Sequence, residues 1–497
     1  MQYFKKQVQH IFIAILWLGF LSACKESKVD PGTNPGTGNP STPTPTTFDI
    51  NTIKDNYAEV ASASNYLRWG PYNVHDPSII KEGDTYYSYS TDAAYGTDIR
   101  SGIQIRTSKD LVEWTFYGWA FDGLPAKGSD FIKQSGGTPF NSLWAPYVIK
   151  AGNEFRLYYS LSSAKARLSV IGMASSSSPL GPWKEQGLAV VSKDDNTRQT
   201  NAIDPSVLID PSGKHWLYYG SAWDGIYMLQ LDPATGLALK SGDKGRRIAN
   251  RGFTNGVYNG NIEGPEIIYN KAQKKYYLFI AYDWLETKYN VRVGRADSPE
   301  GPFYDFEGKD LNTDTDHAPM LIAPYQFQGH SGWQGTSHCA VFENNGQFYI
   351  AHQGRPGNDK YFMILHVRKL YWTKDGWPIA SPERYDGVEP TAVSQADLSG
   401  NWEQITLNYR VVPGYDKEQT SPDFQVSVPM KIDANGSFDN NAANKWSYAA
   451  PWLELTWADG KSASVYVERG RDWENKTSGL IFTGLTKTGI AVWGKKK

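Results

Sequence analysis

Cysteine is nearly absent: the 497 residues hold two, Cys24 and Cys339. That scarcity excludes a disulfide scaffold. An excess of one charge is also lacking. The chain carries 50 Lys and Arg against 52 Asp and Glu, a net of -2, and no basic patch or tail stands out, which argues against a nucleic-acid partner. No apolar run is long enough to span a bilayer; the one at Ile11 to Leu21 is too short. Long amphipathic helical patterns are missing too. What remains is a chain full of short runs bounded by Gly, Pro, Asn and Asp, an all-β pattern.

Aromatic residues are plentiful at 14%, with 18 Trp and 31 Tyr. Most of them fit a β-rich core, since aromatics favour strands. A few cleft positions fit a second use, because flat rings stack on sugar faces. Apolar residues at 40% and charged residues at 21% describe a soluble globular protein long enough for two or three domains.

The chain opens "MQYFKKQVQHIFIAILWLGFLSACKES". Lys5 and Lys6 make a positive start, followed by the short apolar stretch. "LSAC" resembles the lipobox of bacterial lipoproteins, which implies cleavage before Cys24 and acylation of that cysteine. The other reading is an ordinary signal peptide with an incidental cysteine. Residues 25–47 are rich in Pro, Gly, Thr and Ser and read as a flexible tether. The expected layout is a signal peptide over 1–23, a tether over 24–47, a catalytic domain over 48–396 and a C-terminal β domain over 397–497. Such a protein is an outer-membrane lipoprotein, at the cell surface or facing the periplasm, and touches membrane only through its lipid. Cys339 reads as a small buried hydrophobe.

Five segments repeat one pattern: "HDPSIIKEGDTYYSYSTD" from His75, "WAPYVIKAGNEFRLYYSLSS" from Trp144, "IDPSVLIDPSGKHWLYYGSAWDG" from Ile203, "EGPEIIYNKAQKKYYLFIAYD" from Glu263 and "SHCAVFENNGQFYIAHQGR" from Ser337. Each has a short apolar strand, a polar turn and a second strand rich in aromatics. The matching starts are Asp76, Ala145, Asp204, Gly264 and His338, about 59 to 74 residues apart. Units of about 65 residues suit four-stranded sheets repeated radially, and the expectation is a five-bladed β-propeller. Equivalent strand starts then converge on one axis. A lone Asp-Pro pair reads as a strand start. Two in register, with Glu263 one residue off that register, read as a carboxylate cluster. Like charges in a cleft hinder each other's ionisation, and glycoside hydrolysis is the main chemistry that uses this.

"VHDPSII", "LWAPYVI", "NAIDPSV", "GSAWDGI", "IEGPEII" and "GWPIASPER" together resemble glycoside hydrolase family 43, nearest its endo-α-1,5-L-arabinanases. The resemblance implies hydrolysis with inversion of arabinan, the side chains of pectin. It makes Asp76 the general base, Glu263 the general acid and Asp204 the residue that orients the acid and holds up its pKa. Room for a water between base and sugar requires the two carboxyls to stand roughly 6.5 to 9.5 Å apart. Glu266 falls where Ser78 and Ser206 fall in other copies, so a supporting role is expected of it. His338 reads either as a hydrogen-bonded core histidine or, as the resemblance implies, as the ligand of a hydrated central calcium ion. Asn201, Ile203, Ser221, Trp223 and Trp144 are the candidate sugar contacts. Tyr147 stands where many relatives carry an acid, and the stretch before His338 is expected to shape the cleft. Two other readings stay open: an exo-acting α-L-arabinofuranosidase or β-xylosidase of the family, and a non-catalytic glycan-binding lipoprotein. A monomer is expected.

From about residue 397 the pattern changes to alternating apolar and polar residues with turns at Asn435-Gly436 and Asp459-Gly460. A small antiparallel barrel or sandwich is expected, serving either as a buttress or as a carbohydrate-binding module.

Overall fold

The computed structural model describes residues 48–55, 63–95, 98–197, 199–254, 257–258, 260–313, 316–389, 391–408 and 421–497. The signal peptide, the tether and Cys24 lie outside the described residues. Strands dominate, and the one α-helix of the described residues is Ala126–Gln134.

The first strands of the five repeats are Ser78–Glu82, Trp144–Ala151, Ser206–Ile209, Ile262–Asn270 and Ala340–Asn344. Each neighbours the next, and the fifth returns to the first, so they ring a common axis. Four repeats form free-standing four-stranded antiparallel sheets. The expectation of five equal blades is corrected at the fifth repeat: the propeller has four separate blades. The fifth copy's four strands belong to a seven-stranded sheet. The cause is an overhang. Gln347–Pro356 outruns its five-residue inner partner, and its end at Arg355 and Pro356 pairs with Trp333–Gln334. That strand leads through Tyr325–Gln326 to Gln425–Val426, so the exposed backbone groups of a sheet edge are covered. The stretch before His338, expected to shape the cleft, therefore builds scaffold. It also supplies the outer strand of the fourth sheet, Met320–Ile322, whereas Tyr304 makes only isolated bridges.

Apolar wedges fill the gaps between sheets. Tyr89, Ile105, Leu157 and Val170 pack between the first and second. Ile171, Met173, Val207 and Leu217 pack between the second and third. Tyr218, Met228, Ile267 and Leu278 follow, and Ile79, Tyr86, Ala351 and Val367 join the last repeat to the first. Each fully buried large side chain contributes about 1.5–3 kcal/mol.

One backbone feature recurs at the head of every inner strand. Asp76, Ala145, Asp204, Gly264 and His338 all have positive φ: 50°, 39°, 59°, 56° and 53°. Non-glycine residues rarely adopt this conformation. Its fivefold repetition means the ring imposes it. The two residues Gly264 and Pro265 interrupt the ladder between Glu263 and Glu266, as Ala145 and Pro146 do between Trp144 and Tyr147. The prolines thus sit where no ladder donor is lost.

Side chains stitch the sheets together at two levels. At the first, the backbone N–H of a strand-head residue donates to the preceding repeat: Ala145 to Thr91 Oγ1 at 2.7 Å, Asp204 to Ser160 Oγ at 3.0 Å and Asp76 to Gln353 Oε1 at 3.1 Å. Thr91, Ser160 and Gln353 lie at the same register place, two residues beyond the partners of Ser78, Tyr147 and Ala340. The two remaining repeats have Gly220 and Ala281 there, which offer no acceptor side chain. At the second level, Ser78 Oγ accepts from Val148 N–H at 3.1 Å, Ser206 Oγ from Ile267 N–H at 3.2 Å, and Glu266 Oε1 from Val341 N–H at 2.9 Å. Glu266 therefore does what the two serines do, as its place in the repeat implied.

The C-terminal domain is a closed eight-stranded barrel, sealed where Gly400–Leu407 pairs with Ala491–Lys496. Trp402, Phe438, Leu453 and Phe482 fill it. It shares a core with the propeller through Ile405, Leu485 and Trp493 against Trp333, Trp377 and Ile379. Tyr371 stacks on Tyr466 at 4.1 Å, and the buried Lys495 ammonium joins Glu383 of the propeller to Asp472 and Glu474 of the barrel.

Burial raises the Glu266 carboxyl to about 8, although Val341 N–H and Ser206 Oγ oppose it. A folded value above the unfolded one means that its contribution is complete below about 4.5 and lost as pH rises through about 8. Glu266→Gln should therefore lose a stability decline that wild type suffers between those limits. Thermal melts of both proteins across that range check this; parallel curves contradict it.

Candidate active site

The left-handed strand heads turn three functional side chains toward one hub. Asp76 Oδ1 lies 2.7 Å from His75 Nδ1 and 3.0 Å from His338 Nδ1. Thr91 Oγ1 donates to Asp76 Oδ2 at 2.6 Å. Burial alone would raise this carboxyl, but the His338 and His75 imidazoles beside it hold it well below the usual carboxylate range. Asp76 is thus an anion fixed in place at neutral pH.

Asp204 is the same residue type at the equivalent place, with the opposite outcome. Its carboxyl is raised well above the usual range. Burial is the main cause; His338 opposes it, while the neighbouring negative charges of Glu263 and Asp76 add to it. Its Oδ2 accepts from Gly264 N–H at 3.2 Å, which ties it to the backbone immediately after Glu263. Gly264 needs to be glycine for space, since a Cβ there would come within 2.9 Å of the His338 ring.

Glu263 sits one residue before a strand head, in a second ring with His75, Trp144, Ile203 and Ser337. Ser221 Oγ donates to its Oε2 at 2.6 Å, and the Tyr289 hydroxyl donates to its Oε1. Tyr289 is buried, and burial beside Glu263 raises its phenol far above the ordinary value. The hydroxyl therefore keeps its proton and stays a donor to Glu263.

His338 is pushed up to about 9, because Asp76, then Asp204 and Glu263, outweigh its burial. As an imidazolium it offsets part of the acidic charge. Arg355, buried near Asp76 and Tyr289, is a further cation of the hub.

The sequence-nominated sugar contacts divide. Ser221 is at the centre, holding Glu263. Asn201 and Ile203 flank it: Asn201 N–H donates to Ser221 O at 3.4 Å, and Ile203 O accepts from Gly220 N–H at 3.0 Å. The buried Asn201 Oδ1 has no protein partner. Trp223 lies with the Arg167 guanidinium 5.1 Å from its ring, so one face is covered. Trp144 is half-buried and stacks on Phe140 at 5.4 Å, with its indole N–H given to Ser142. Tyr147, where an acid was the pattern, lies half-buried against Glu266. Cys339 is a buried free thiol.

Sequence reasoning passed over His75, Thr91, Tyr289 and Arg355. His75 and Thr91 lay within the quoted repeat, and Thr91 could have been found by aligning second-strand ends with Ser160 and Gln353. Tyr289 follows the loop after Lys275–Tyr282, outside the repeat register, and carried no signal.

The model of glycosyl hydrolases family 43 matches residues 70–378, and that of a C-terminal lipocalin-like domain matches 382–494. An extracellular endo-α-(1→5)-L-arabinanase of Thermotoga petrophila is 28% identical over 470 residues, covering 86% of this chain and 94% of its own. Extracellular endo-α-(1→5)-L-arabinanase 2 of Bacillus subtilis is 27% identical, with 85% and 93% covered. The crystal structure of an endo-1,5-α-L-arabinanase from Thermotoga petrophila superposes with a TM-score of 0.72 at 25% identity, covering 86% of this chain and 98% of that one.

Proposed function

The chain belongs to the family 43 glycosyl hydrolases, and we propose that it cleaves α-1,5-linked L-arabinofuranose chains internally, with inversion at the anomeric carbon. The observation that carries the chemistry is the contrast between two acidic groups at one hub: Asp76 pinned as an anion by two histidines, Glu263 held by two hydroxyls beside a carboxyl that resists ionisation. Both relatives matched over propeller and barrel alike bear endo-arabinanase names.

Asp76 takes a proton from a water whose oxygen attacks the anomeric carbon. Glu263 gives its proton to the departing glycosidic oxygen as the C–O bond breaks, so charge and protons balance. A protonated Glu263 keeps its contacts, because the Ser221 and Tyr289 hydroxyls accept as well as donate. Asp204, bonded to Gly264 N–H, acts as a positioning residue for Glu263.

The calcium expectation becomes a narrower proposal. The hub offers one imidazole, His338, whose Nδ1 faces Asp76. Calcium prefers six to eight oxygens, so these residues would fit a largely hydrated ion drawn in by the acidic charge, which would displace the proton from the other His338 ring nitrogen to bind there. Such an ion supplies fixed positive charge at the hub. Elemental analysis of the purified protein should find one calcium per chain, lost in His338→Ala; equal content in both contradicts the site.

We propose an outward-facing location tethered through Cys24, in keeping with the relatives' extracellular names. Cys24→Ser should move the protein from the membrane to the soluble fraction; a variant that stays with membranes overturns the anchor.

Asp76→Asn and Glu263→Gln should each lower kcat by about 10²–10⁴-fold, while Glu266→Gln should retain most activity. Wild type should release mixed oligosaccharides from linear arabinan, and proton NMR of the first product should show the inverted anomer. Equal losses from Glu263→Gln and Glu266→Gln, or arabinose alone as product, contradict the reading.

A further inference from the structure

A cavity of about 270 Å³ lies beside the first sheet, lined in part by Tyr66, Trp69, Ala93, Arg100, Gln104 and Trp119. It stands close to the hub. Ala93 follows Thr91, whose hydroxyl holds Asp76, by two residues. Between them Asp92, 1% exposed, accepts the N–H groups of Gly102, Ile103 and Leu143, so this connection is rigidly tied. Arg106 braces the cavity from below. It donates to the carbonyls of Gly70 and Tyr72 and to Gln104 Oε1.

The wall chemistry is specific. Three aromatic rings meet there: Trp119 lies 6.4 Å from Trp69 and 5.9 Å from Tyr66. Tyr66, 38% exposed, forms an open rim. The Arg100 guanidinium sits 4.3 Å from the Trp119 ring. The buried indole nitrogens of Trp69 and Trp119 have no hydrogen-bond partner. Gln104, 2% exposed, spends one amide hydrogen on Ala93 O and has a second to give. The aromatic faces together with the spare Gln104 amide hydrogen match a ring that carries apolar C–H faces and hydroxyl acceptors. A volume just below that of drug-sized ligand pockets suits one or two pentose units.

We infer that this cavity is a distal sugar subsite, which grips a furanose unit of the arabinan chain, main-chain or branch, away from the bond being cleaved. The inference rests on the arabinan reading and gives it an anchor for long chains.

The test uses full-length Glu263→Gln as the background and arabinohexaose and arabinotriose as probes in titration calorimetry. Adding Tyr66→Ala, a rim change, should weaken arabinohexaose binding about tenfold, the loss of about 1.4 kcal/mol typical of one aromatic contact. Trp119→Phe, which keeps a ring but removes the N–H, should weaken it by a smaller factor. The ratio of arabinohexaose to arabinotriose affinity should fall in both. If both variants bind arabinohexaose as the background does while wild type cleaves arabinan, the subsite is overturned and the function stands. If the background binds no arabinohexaose and wild type cleaves no arabinan, both fall.

Discussion

A left-handed residue at the head of each inner strand is the constraint on which the site depends. Five residues of different chemistry, Asp76, Ala145, Asp204, Gly264 and His338, share φ values between 39° and 59°. Only glycine adopts that conformation without strain, so the surrounding ring must hold it. Hydrogen bonds between repeats supply the hold. Backbone N–H groups at the strand heads reach Thr91, Ser160 and Gln353, and one layer further out Ser78, Ser206 and Glu266 accept from the next strand. Scaffold and site are built from the same positions.

The hub then assigns roles by environment. Asp76 and Asp204 occupy equivalent places and differ in their neighbours. Two imidazoles and a hydroxyl face Asp76, and it stays ionised. Asp204 faces burial and two other acidic groups, with one backbone N–H to satisfy it, and it resists ionisation. Separating two carboxyls in this way lets one site hold a fixed anion at Asp76 and a carboxyl that resists ionisation at Asp204 at the same pH. The repeat supplies the geometry, and residues one position away, such as His75 and Glu263, supply the asymmetry.

Much of this was legible in the sequence because the repeat carries register. Aligning five strand starts brought positions 76, 204, 263 and 338 together and set Glu266 beside the serines. Tyr289 lies between repeats, so alignment could not find it. Ser221 was nominated to meet sugar, and its hydroxyl meets Glu263, a partner the repeat did not reveal. The merging of the fifth repeat into a seven-stranded sheet was also hidden. It depends on Gln347–Pro356 outrunning its partner to reach Trp333–Gln334, and on Tyr325–Gln326 pairing with Gln425–Val426, 100 residues further along the chain. Periodicity within one repeat does not encode such long-range edge pairing.

Three acidic side chains, Asp76, Asp204 and Glu263, meet at one hub. A crystal structure of Glu263→Gln soaked with arabinohexaose tests this convergence most directly. A sugar chain should lie across the hub, with its scissile oxygen beside residue 263 and a water between the anomeric carbon and Asp76. An oligosaccharide bound elsewhere on the propeller, with Asp76 and residue 263 both out of reach of one glycosidic bond, would contradict it.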